Sequence, residues 1–380
     1  MSTLLISSRY IKPQVLDDLQ RKMVFVGGPR QVGKTTFAQS LIRGYKPNHV
    51  AYLNWDDREQ RDKILNKIWP ANQKLIIFDE IHKYARWRNL LKGYFDTQKE
   101  NHSFLVTGSA RLDHYRRGGD SLLGRYHYYR MHPFSLPELN YESGALKTLL
   151  QFGGFPEPLL RQEDRTLRRW HIERLTRLIE EDLRDLEHVR ELSLIERLAE
   201  ALPLRVGSPL SIKNLAEDLE VDFKTADRWI TILENLYFAF RISPYGAPKI
   251  RAVKKEQKLY LWDWSQIPSP GARLENLVAS HLLKYCHYIE DTESYRMELR
   301  FLRDTDRREI DFVVIKDKKP IFAVECKTGE KSISPHIAYF AARTNIPAFY
   351  QVHLGKKDFG HPKSGRVLPF EVFCKELKLV

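Results

Sequence analysis

The chain is poor in cysteine: its 380 residues include three, Cys286, Cys326 and Cys374, and no two of them form a CxxC pair. Their wide spacing argues against a disulfide framework and against a cysteine-based zinc site. Long apolar runs are also missing, since the hydrophobic residues, 42% of the total, fall in short stretches. A membrane span needs roughly 20 consecutive apolar residues, and no N-terminal signal or transit pattern is present. These absences predict a cytoplasmic protein without membrane contact.

Acidic residues are in the minority, because 49 Asp and Glu face 62 Lys and Arg and leave a formal net charge of +13. A basic chain of this kind favours a polyanionic partner, with nucleic acid first among the candidates. Basic proteins without such a partner also exist, so charge alone leaves both interpretations open. The length predicts about two or three domains rather than one.

The segment MVFVGGPRQVGKTT, residues 23–36, reads as a short apolar strand, a turn and the start of a helix. Residues 28–35 match the phosphate-loop pattern GxxxxGK[S/T], in which glycines permit close backbone approach and successive N–H groups face phosphate oxygens. The pattern predicts that Lys34 reaches the β- and γ-phosphates of ATP and that the hydroxyl of Thr35 ligates Mg²⁺. The predicted nucleotide-binding residues are Gly28, Pro29, Arg30, Gln31, Val32, Gly33, Lys34, Thr35 and Thr36.

The segment LIIFDE, residues 75–80, is an apolar run that ends in two carboxylates, as expected for a buried strand of a parallel sheet. Asp79 is predicted to hold Mg²⁺ through water, and Glu80 to orient the attacking water as general base. Two further strands end in polar residues. FLVTGS, residues 104–109, ends in the hydroxyl residues Thr107 and Ser109, where a residue would sense the γ-phosphate, and Asn54 at the tip of the other strand would restrain Glu80. An ordinary core strand with an acidic end is the simpler alternative.

Strands alternate with helical stretches between residues 23 and 140, which predicts an α/β fold with a parallel sheet. A charged helix from Leu167 to Val189, after the break FGGFPEP, is interpreted as a helical lid. Residues 193–250 then read as two short helices around a turn, followed by a wing-like strand, which is the winged helix-turn-helix pattern. A packing role stays open beside DNA contact. The predicted DNA-contacting residues are Lys213, Lys224, Arg228, Lys254 and Lys255, and Lys249, Arg251 and Lys258 extend the basic run.

A second group of charged residues lies in the last third of the chain. Glu275 opens a helix with an otherwise apolar face, Asp311 lies in EIDFVV, and Glu325 and Lys327 share one side of the strand IFAVECK. A hairpin turn at KDKKP, residues 316–320, would bring Asp311 beside Glu325 and Lys327. Asp311 and Glu325 would form a hard-oxygen site for Mg²⁺ or Mn²⁺, and the lysine could position or deprotonate the attacking water. A surface salt bridge between Asp311 and Lys327 is the alternative.

Together these segments resemble a prokaryotic family of AAA+ ATPases that carry a C-terminal restriction-endonuclease-like domain of the PD-(D/E)xK type. The matching motifs, in chain order, are GPRQVGKTT, IIFDEIHKYARWRNLLKGYFD, FLVTGSARL, LLGR followed by HPFSLPEL, FGGFPEP, EIDFVV and AVECKTG. The resemblance implies a winged-helix region before the nuclease-like domain. It favours Arg125 over Arg111 as the arginine that stabilises phosphoryl charge in a neighbouring subunit. Ile310 stands where the family's PD motif has proline.

The predicted domains are an AAA+ core at 1–145, a helical lid at 146–192, a winged-helix domain at 193–252 and an α/β nuclease-like domain at 253–380. The leading interpretation is a ring-forming ATP hydrolase that remodels or translocates on duplex or branched DNA. Its predicted catalytic residues are Lys34, Asp79, Glu80 and Arg125 at the ATP site and Glu275, Asp311, Glu325 and Lys327 at the second site. The alternative is a nucleotide-dependent switch, in which the winged-helix and nuclease-like domains mediate assembly or partner recognition.

Overall fold

The computed structural model describes residues 8–46, 49–108, 122–183, 191–246 and 256–380. These ranges belong to two compact units, residues 8–133 and residues 134–380. Within the described ranges, no helix combines the length and the apolar character that a membrane crossing requires.

The first unit is built on a parallel five-stranded sheet with the strand order β2-β3-β4-β1-β5. Its elements are α1 (Lys12–Asp18), β1 (Met23–Gly27), α2 (Lys34–Ser40), β2 (Tyr52–Asn54), α3 (Arg58–Leu65), β3 (Leu75–Asp79), α4 (Trp87–Gln98), β4 (Ser103–Thr107) and β5 (Tyr126–Arg130). The three central strands are almost entirely buried, as strands of a parallel sheet covered on both faces are. Because all strands run the same way, their C-terminal ends form one edge of the sheet. Gly27, Asp79 and Thr107, the last residues of β1, β3 and β4, therefore lie at that edge. The predicted parallel α/β core is confirmed.

The second unit begins with helices, and its later part combines a mixed sheet with three further helices. Its helices are α5 (Ala145–Phe152), α6 (Pro156–Arg161), α7 (Asp164–Arg177), α8 (Leu192–Ala201), α9 (Ile212–Asp218), α10 (Phe223–Asn235), α11 (Pro270–Glu293), α12 (Pro335–Ala341) and α13 (Phe370–Glu376). The charged helix predicted to reach Val189 passes at Leu178 into a π-helical turn that ends at Leu183. Ser211 and Asp222 cap the N-termini of α9 and α10 through their side chains, which fixes where each helix of the pair begins.

The sheet of the second unit has eight strands in the order β12-β13-β11-β10-β9-β8-β6-β7. They are β6 (Ala239–Pro244), β7 (Lys258–Leu261), β8 (Met297–Arg303), β9 (Glu309–Lys316), β10 (Lys319–Cys326), β11 (Phe349–His353), β12 (Phe359–His361) and β13 (Gly365–Pro369). The predicted wing strand, β6, pairs antiparallel with β7 and parallel with β8, so the sheet extends across the predicted boundary at 252. The predicted hairpin joins β9 to β10, and its turn residues Asp317 and Lys318 both have positive φ, as tight hairpin turns require.

The second half of the HPFSLPEL motif, residues 136–139, is bound to α11 by buried polar contacts. The N–H of Leu136 donates to Nε2 of His281 at 2.9 Å, and the buried Lys284 pairs with the buried Glu138. Nδ1 of His281 lies 2.8 Å from the carbonyl oxygen of Leu277. The imidazole is therefore neutral, with Nε2 as acceptor and Nδ1–H as donor, and burial lowers the pKa of His281 to about 3.

Protonation of His281 would remove the acceptor of the Leu136 N–H, so we expect the native state to lose stability in acid. The folded pKa of about 3 lies below the ordinary 6.5, so the unfolded chain binds the proton first, and stability present above pH 6.5 is lost as pH falls toward 3. This loss amounts to about 2 kcal/mol between pH 7.5 and pH 5. Urea unfolding of the wild type and of His281→Gln at both pH values measures it, because Gln keeps an acceptor but does not titrate. An equal pH dependence in both proteins would contradict the assignment.

Candidate functional site

The phosphate loop connects β1 to α2 at the edge where the parallel strands end. Gly33 and Gly28 have φ values of 95° and 137°, which L-residues with a side chain rarely adopt. A Cβ on Gly28 would lie 2.4 Å from the carbonyl oxygen of Met131, so this glycine is needed for backbone packing. The phosphate-loop pattern instead predicted that this glycine permits the close approach of a phosphate. Val32 is buried beneath the loop, and its carbonyl accepts a hydrogen bond from Arg9 at 2.9 Å.

The side chain of Lys34 lies along the loop. Its Nζ donates to the carbonyl oxygens of Gly28 at 2.9 Å and of Pro29 at 2.7 Å, and the residue is 8% exposed. Thr35 and Thr36 are exposed in the first turn of α2, where backbone N–H groups have no acceptor within the helix. Backbone donors and one ammonium group therefore lie together, as the binding of a polyphosphate requires. The other predicted loop residues are half-buried: Arg30 and Gln31.

Asp79, at the end of β3, is held by three hydroxyl groups. Thr107 Oγ1 donates to Oδ1 at 2.5 Å, and Thr35 Oγ1 and Tyr52 Oη donate to Oδ2 at 2.8 and 2.5 Å. Burial is the main cause that raises the pKa of Tyr52, and the negative charge of Asp79 raises it further. The hydroxyl therefore keeps its proton and remains a donor. Thr107, one of the two hydroxyl residues at the strand end where a phosphate sensor was predicted, thus bonds to Asp79. The adjacent oxygens of Thr35 and Asp79 fit Mg²⁺, which prefers hard oxygen ligands.

Glu80 directly follows β3 and has a positive φ of 57°, so the chain leaves the extended conformation at this residue. Its carboxylate lies 3.6 Å from Nε2 of His82 and 3.7 Å from Nζ of Lys83. Burial, and then the adjacent carboxylate, raise the pKa of Glu80. Asn54 was predicted to restrain Glu80, but its Oδ1 closes a local turn by accepting the N–H of Asp56 at 2.9 Å.

Arg125 immediately precedes β5, so it lies at the N-terminal ends of the strands, opposite the phosphate loop. Its guanidinium group pairs with Asp96 of α4, with Nε to Oδ1 at 2.8 Å and NH2 to Oδ2 at 3.1 Å. A five-residue strand is roughly 17 Å long, so Arg125 is remote from the phosphate loop of its own chain. A catalytic role would therefore require the nucleotide of a second subunit. Arg111, the other candidate, and Ser109 lie outside the described residues.

In the second unit, β9 and β10 place three predicted site residues side by side. The N–H of Cys326 donates to Oδ2 of Asp311 at 2.8 Å, and Nζ of Lys327 lies 2.6 Å from Oε1 of Glu325. The lysine thus pairs with Glu325, whereas the alternative interpretation paired it with Asp311. Glu325 is 5% exposed, and its Oε2 has no hydrogen-bond partner among the described residues.

Besides Glu309, the sequence patterns missed one further member of this cluster, Lys258 in β7. It was assigned to a basic surface run, but it is fully buried, and its Nζ lies 3.1 Å from Glu275, 2.5 Å from Glu309 and 3.6 Å from Asp311. Burial opposes the charge, but the three carboxylates outweigh it and raise the pKa of Lys258. The signal that could have identified it is the strand KLYL, in which residues 258 and 260 share a face with otherwise apolar neighbours.

The cluster does not fit a divalent cation in this arrangement. In the parts of the chain that the structure describes, no three His, Cys, Asp or Glu side chains are grouped so as to hold a metal ion. Glu275, Glu309 and Asp311 each direct an oxygen toward the ammonium group of Lys258. The protein itself therefore supplies the positive charge that the predicted site at Asp311 and Glu325 assigned to Mg²⁺ or Mn²⁺.

The predicted DNA-contacting residues of the helix pair are exposed. Lys213, on α9, lies 3.6 Å from Glu217 of the same helix. Lys224 and Arg228 are four residues apart on α10 and so share one face of it. Lys254 and Lys255 lie outside the described residues.

Comparison with protein families divides the chain in three. Residues 20–140 match the model of an AAA domain, and the phosphate loop, Asp79 and Glu80 all lie within that match. Residues 143–267 and 270–373 match two domains of unknown function, DUF8612 and DUF4143. The first unit therefore matches an AAA domain in sequence, over nearly its whole length.

Curated relatives extend over most of the chain. "Uncharacterized protein MJ1637" of Methanocaldococcus jannaschii is 22% identical over 83% of this chain and 78% of its own length. "Uncharacterized protein Rv2008c" of Mycobacterium tuberculosis is 25% identical over 69% of this chain and 59% of its own length.

Solved structures give weaker likenesses. The RuvB Holliday junction branch migration motor of Thermotoga maritima covers 62% of this chain and 90% of its own, with 16% identity and a TM-score of 0.32. AMPPCP-bound DnaA from Aquifex aeolicus covers 59% of this chain and 86% of its own, with 14% identity and a TM-score of 0.29. Scores this low support no conclusion about function.

Proposed function

We propose that this protein is an oligomeric ATP hydrolase whose turnover is coupled to DNA. One observation supports ATP hydrolysis: four predicted site residues lie together at the C-terminal ends of the parallel strands, within the part that matches an AAA domain. They are Lys34, Thr35, Asp79 and Glu80. The first three residues form the binding half of the site, and Glu80 lies next to it, directly after β3.

Each of these residues has a separate task in hydrolysis. Lys34 would exchange its two carbonyl acceptors on the loop for phosphate oxygens and stabilise their charge. Thr35 and Asp79 would hold Mg²⁺, which neutralises charge on the β- and γ-phosphates when bound. Glu80 would orient the attacking water and accept its proton. Tyr52 and Thr107 keep the Asp79 carboxylate turned toward Thr35, so they position a ligand without touching the nucleotide.

The charge distribution supports DNA as the partner. Residues 8–133 carry 23 Lys and Arg against 12 Asp and Glu, whereas residues 134–380 carry 39 against 37. The excess positive charge thus lies almost entirely in the ATPase unit. The region predicted as a winged helix, 193–252, is balanced, with eight basic and eight acidic residues. A polyanion is therefore expected to contact the unit that hydrolyses ATP, which is the arrangement that coupling needs.

We do not extend this proposal to DNA cleavage. Asp311, Glu325 and Lys327 are adjacent, as the nuclease-like interpretation requires, but the ammonium group of Lys258 lies among the carboxylates that would serve a metal. The winged-helix and nuclease-like regions are proposed here as recognition modules.

Mixing two variants tests hydrolysis and assembly together. We expect Lys34→Ala, which removes the phosphate-binding ammonium, and Arg125→Ala, which removes the trans-acting guanidinium, each to abolish most ATP hydrolysis. In an equimolar mixture, Lys34→Ala subunits still supply Arg125 to the intact nucleotide sites of Arg125→Ala subunits, so part of the activity returns. The rate of phosphate release is measured for each variant alone and for the equimolar mixture. Exchange of the exposed Lys63 for Ala is the matched control.

Two outcomes of this experiment would contradict the proposal in different places. Full activity of Lys34→Ala would exclude the phosphate loop as the hydrolytic site. An inactive mixture, with both variants folded and associated, would exclude Arg125 as the trans-acting residue and leave the hydrolytic site unaffected.

The nucleotide-dependent switch is separated from a DNA-coupled motor by two measurements. A DNA-coupled ATPase is stimulated by DNA, and its affinity for DNA falls steeply with salt, because bound lysines and arginines release counterions from the phosphates. ATP hydrolysis that ignores DNA, together with weak salt dependence of binding, would instead favour the switch.

A further inference from the structure

We propose that Lys258 is a built-in counter-ion that takes the place of a divalent cation, so that the C-terminal carboxylate cluster neither binds Mg²⁺ nor supports metal-dependent cleavage. The cluster consists of Glu275 on α11, Glu309 and Asp311 on β9, and the ammonium group of Lys258 between them. Three buried or half-buried carboxylates in one place need a positive charge, and the chain provides it from β7.

Each carboxylate of the cluster has a second partner from the protein. The hydroxyl of Tyr260 donates to Glu275 at 2.7 Å, and NH1 of Arg303 donates to Glu309 at 2.9 Å. The remaining oxygen of Asp311 accepts the N–H of Cys326 at 2.8 Å. A metal ion would have to break these hydrogen bonds as well as displace the ammonium group, whereas in a preformed metal site the carboxylate oxygens are directed toward one shared point.

Lys258 is fixed in place by its backbone. It pairs with Ile242 across β6 and β7 and forms an additional bridge to Pro209, and its side chain is 0% exposed. The aromatic ring of Phe301 lies 5.8 Å from its Nζ, which adds a favourable cation–π contact. An ammonium group held on a sheet strand cannot swing into solvent as a surface lysine does, so a metal would meet its full repulsion at close range.

The open oxygen of Glu325 does not by itself make a metal site. Its Oε1 is occupied by Lys327, and its Oε2 is a single acceptor. Divalent magnesium takes six oxygen ligands and calcium at least as many. One open carboxylate oxygen beside the ammonium group of Lys327 is too few to hold either ion.

Binding of Mn²⁺ to the nucleotide-free full-length protein tests the proposal. All proteins carry Asp79→Asn, which removes the metal ligand of the nucleotide site, and electron paramagnetic resonance measures the free Mn²⁺. With an unchanged cluster we expect no bound Mn²⁺ at millimolar concentration. Lys258→Met, which is one atom shorter and removes the charge, should take up one Mn²⁺ per chain, and adding Asp311→Asn should abolish that uptake.

Each result decides the matter. Uptake of Mn²⁺ by the unchanged cluster, abolished by Asp311→Asn, overturns the proposal, and so does a folded Lys258→Met that binds none. Lys258→Met could fail to fold because the carboxylates of the cluster are left without a counter-charge. In that case the double variant Lys258→Met/Glu309→Gln, which removes one of those carboxylates, is used instead of the single variant. Circular dichroism monitors folding throughout. ATP hydrolysis is measured separately in proteins with Asp79 intact, so a failed metal prediction leaves the proposed ATPase untouched.

Discussion

Replacing Glu80 with Gln is expected to lower kcat for ATP hydrolysis by about 10²- to 10⁴-fold, the usual contribution of a positioned general base. Glutamine has nearly the same shape, so the N–H of residue 80 still reaches the carbonyl of Thr107, as it does at 3.0 Å in the wild type. What disappears is the ability to take the proton of the attacking water. ATP affinity, which depends on Lys34 and the loop backbone, should stay within a few-fold of wild type.

Two measurements check this expectation: kcat from steady-state phosphate release and Kd from titration with a fluorescent ATP analogue. Glu59→Gln, at an exposed position on α3, is the matched control and should change neither value. A Glu80→Gln protein that keeps more than a tenth of wild-type kcat would show that another group accepts the proton. A parallel loss of affinity would indicate instead that the substitution disturbed the loop.

Exchange of Lys22, Lys74 and Lys99 for Ala is expected to weaken binding of duplex DNA by roughly 10²- to 10³-fold at 0.1 M salt. Lys22 and Lys74 immediately precede β1 and β3, and Lys99 follows the last residue of α4, shortly before β4. All three therefore lie at the sheet edge that the N-terminal ends of the strands form, opposite the phosphate loop. Removing each lysine that neutralises a DNA phosphate should also lower the slope of log affinity against log salt by about 0.9.

The helix pair supplies the matched comparison for this DNA prediction. Lys213, Lys224 and Arg228 are also three basic residues, but they lie in a charge-balanced region, and Lys213 is already paired with Glu217. Their exchange for Ala should therefore change affinity much less. Should the helix-pair variant lose binding while the sheet-edge variant keeps it, the helix-turn-helix prediction is right and the sheet-edge assignment wrong. Fluorescence anisotropy at several salt concentrations provides both affinity and slope.

The placement of the candidate nucleotide-site residues could be predicted from sequence, because the segments that carry them are short and follow one another in a recognisable order. A glycine-rich turn after an apolar strand, and two carboxylates at the end of another, need only the rule that parallel strands end at one edge. The roles of individual residues were harder to predict. Gly28 packs against Met131, and Thr107 holds Asp79, because both contacts depend on which strands are neighbours.

The C-terminal cluster shows where sequence reasoning ends. Asp311, Glu325 and Lys327 were predicted to meet because one short hairpin joins their strands. Lys258 was missed because it lies 51 positions before Glu309 and outside the hairpin. Glu309 was missed although it opens β9, because only Asp311 of that strand was assigned to the site. A lysine that follows several others looks like part of a solvated basic run, and only the fold shows that its strand is buried.

The eight-stranded sheet also determines where the chain can be divided. The strand that follows the helix pair, β6, lies between β7 and β8, which come from the segment after residue 255. A fragment ending at residue 252 would leave both edges of that strand without hydrogen-bonded neighbours and invite pairing between molecules. Cutting between residues 133 and 134 leaves both sheets whole. The helix pair and the C-terminal cluster therefore have to be expressed together, as parts of one folding unit.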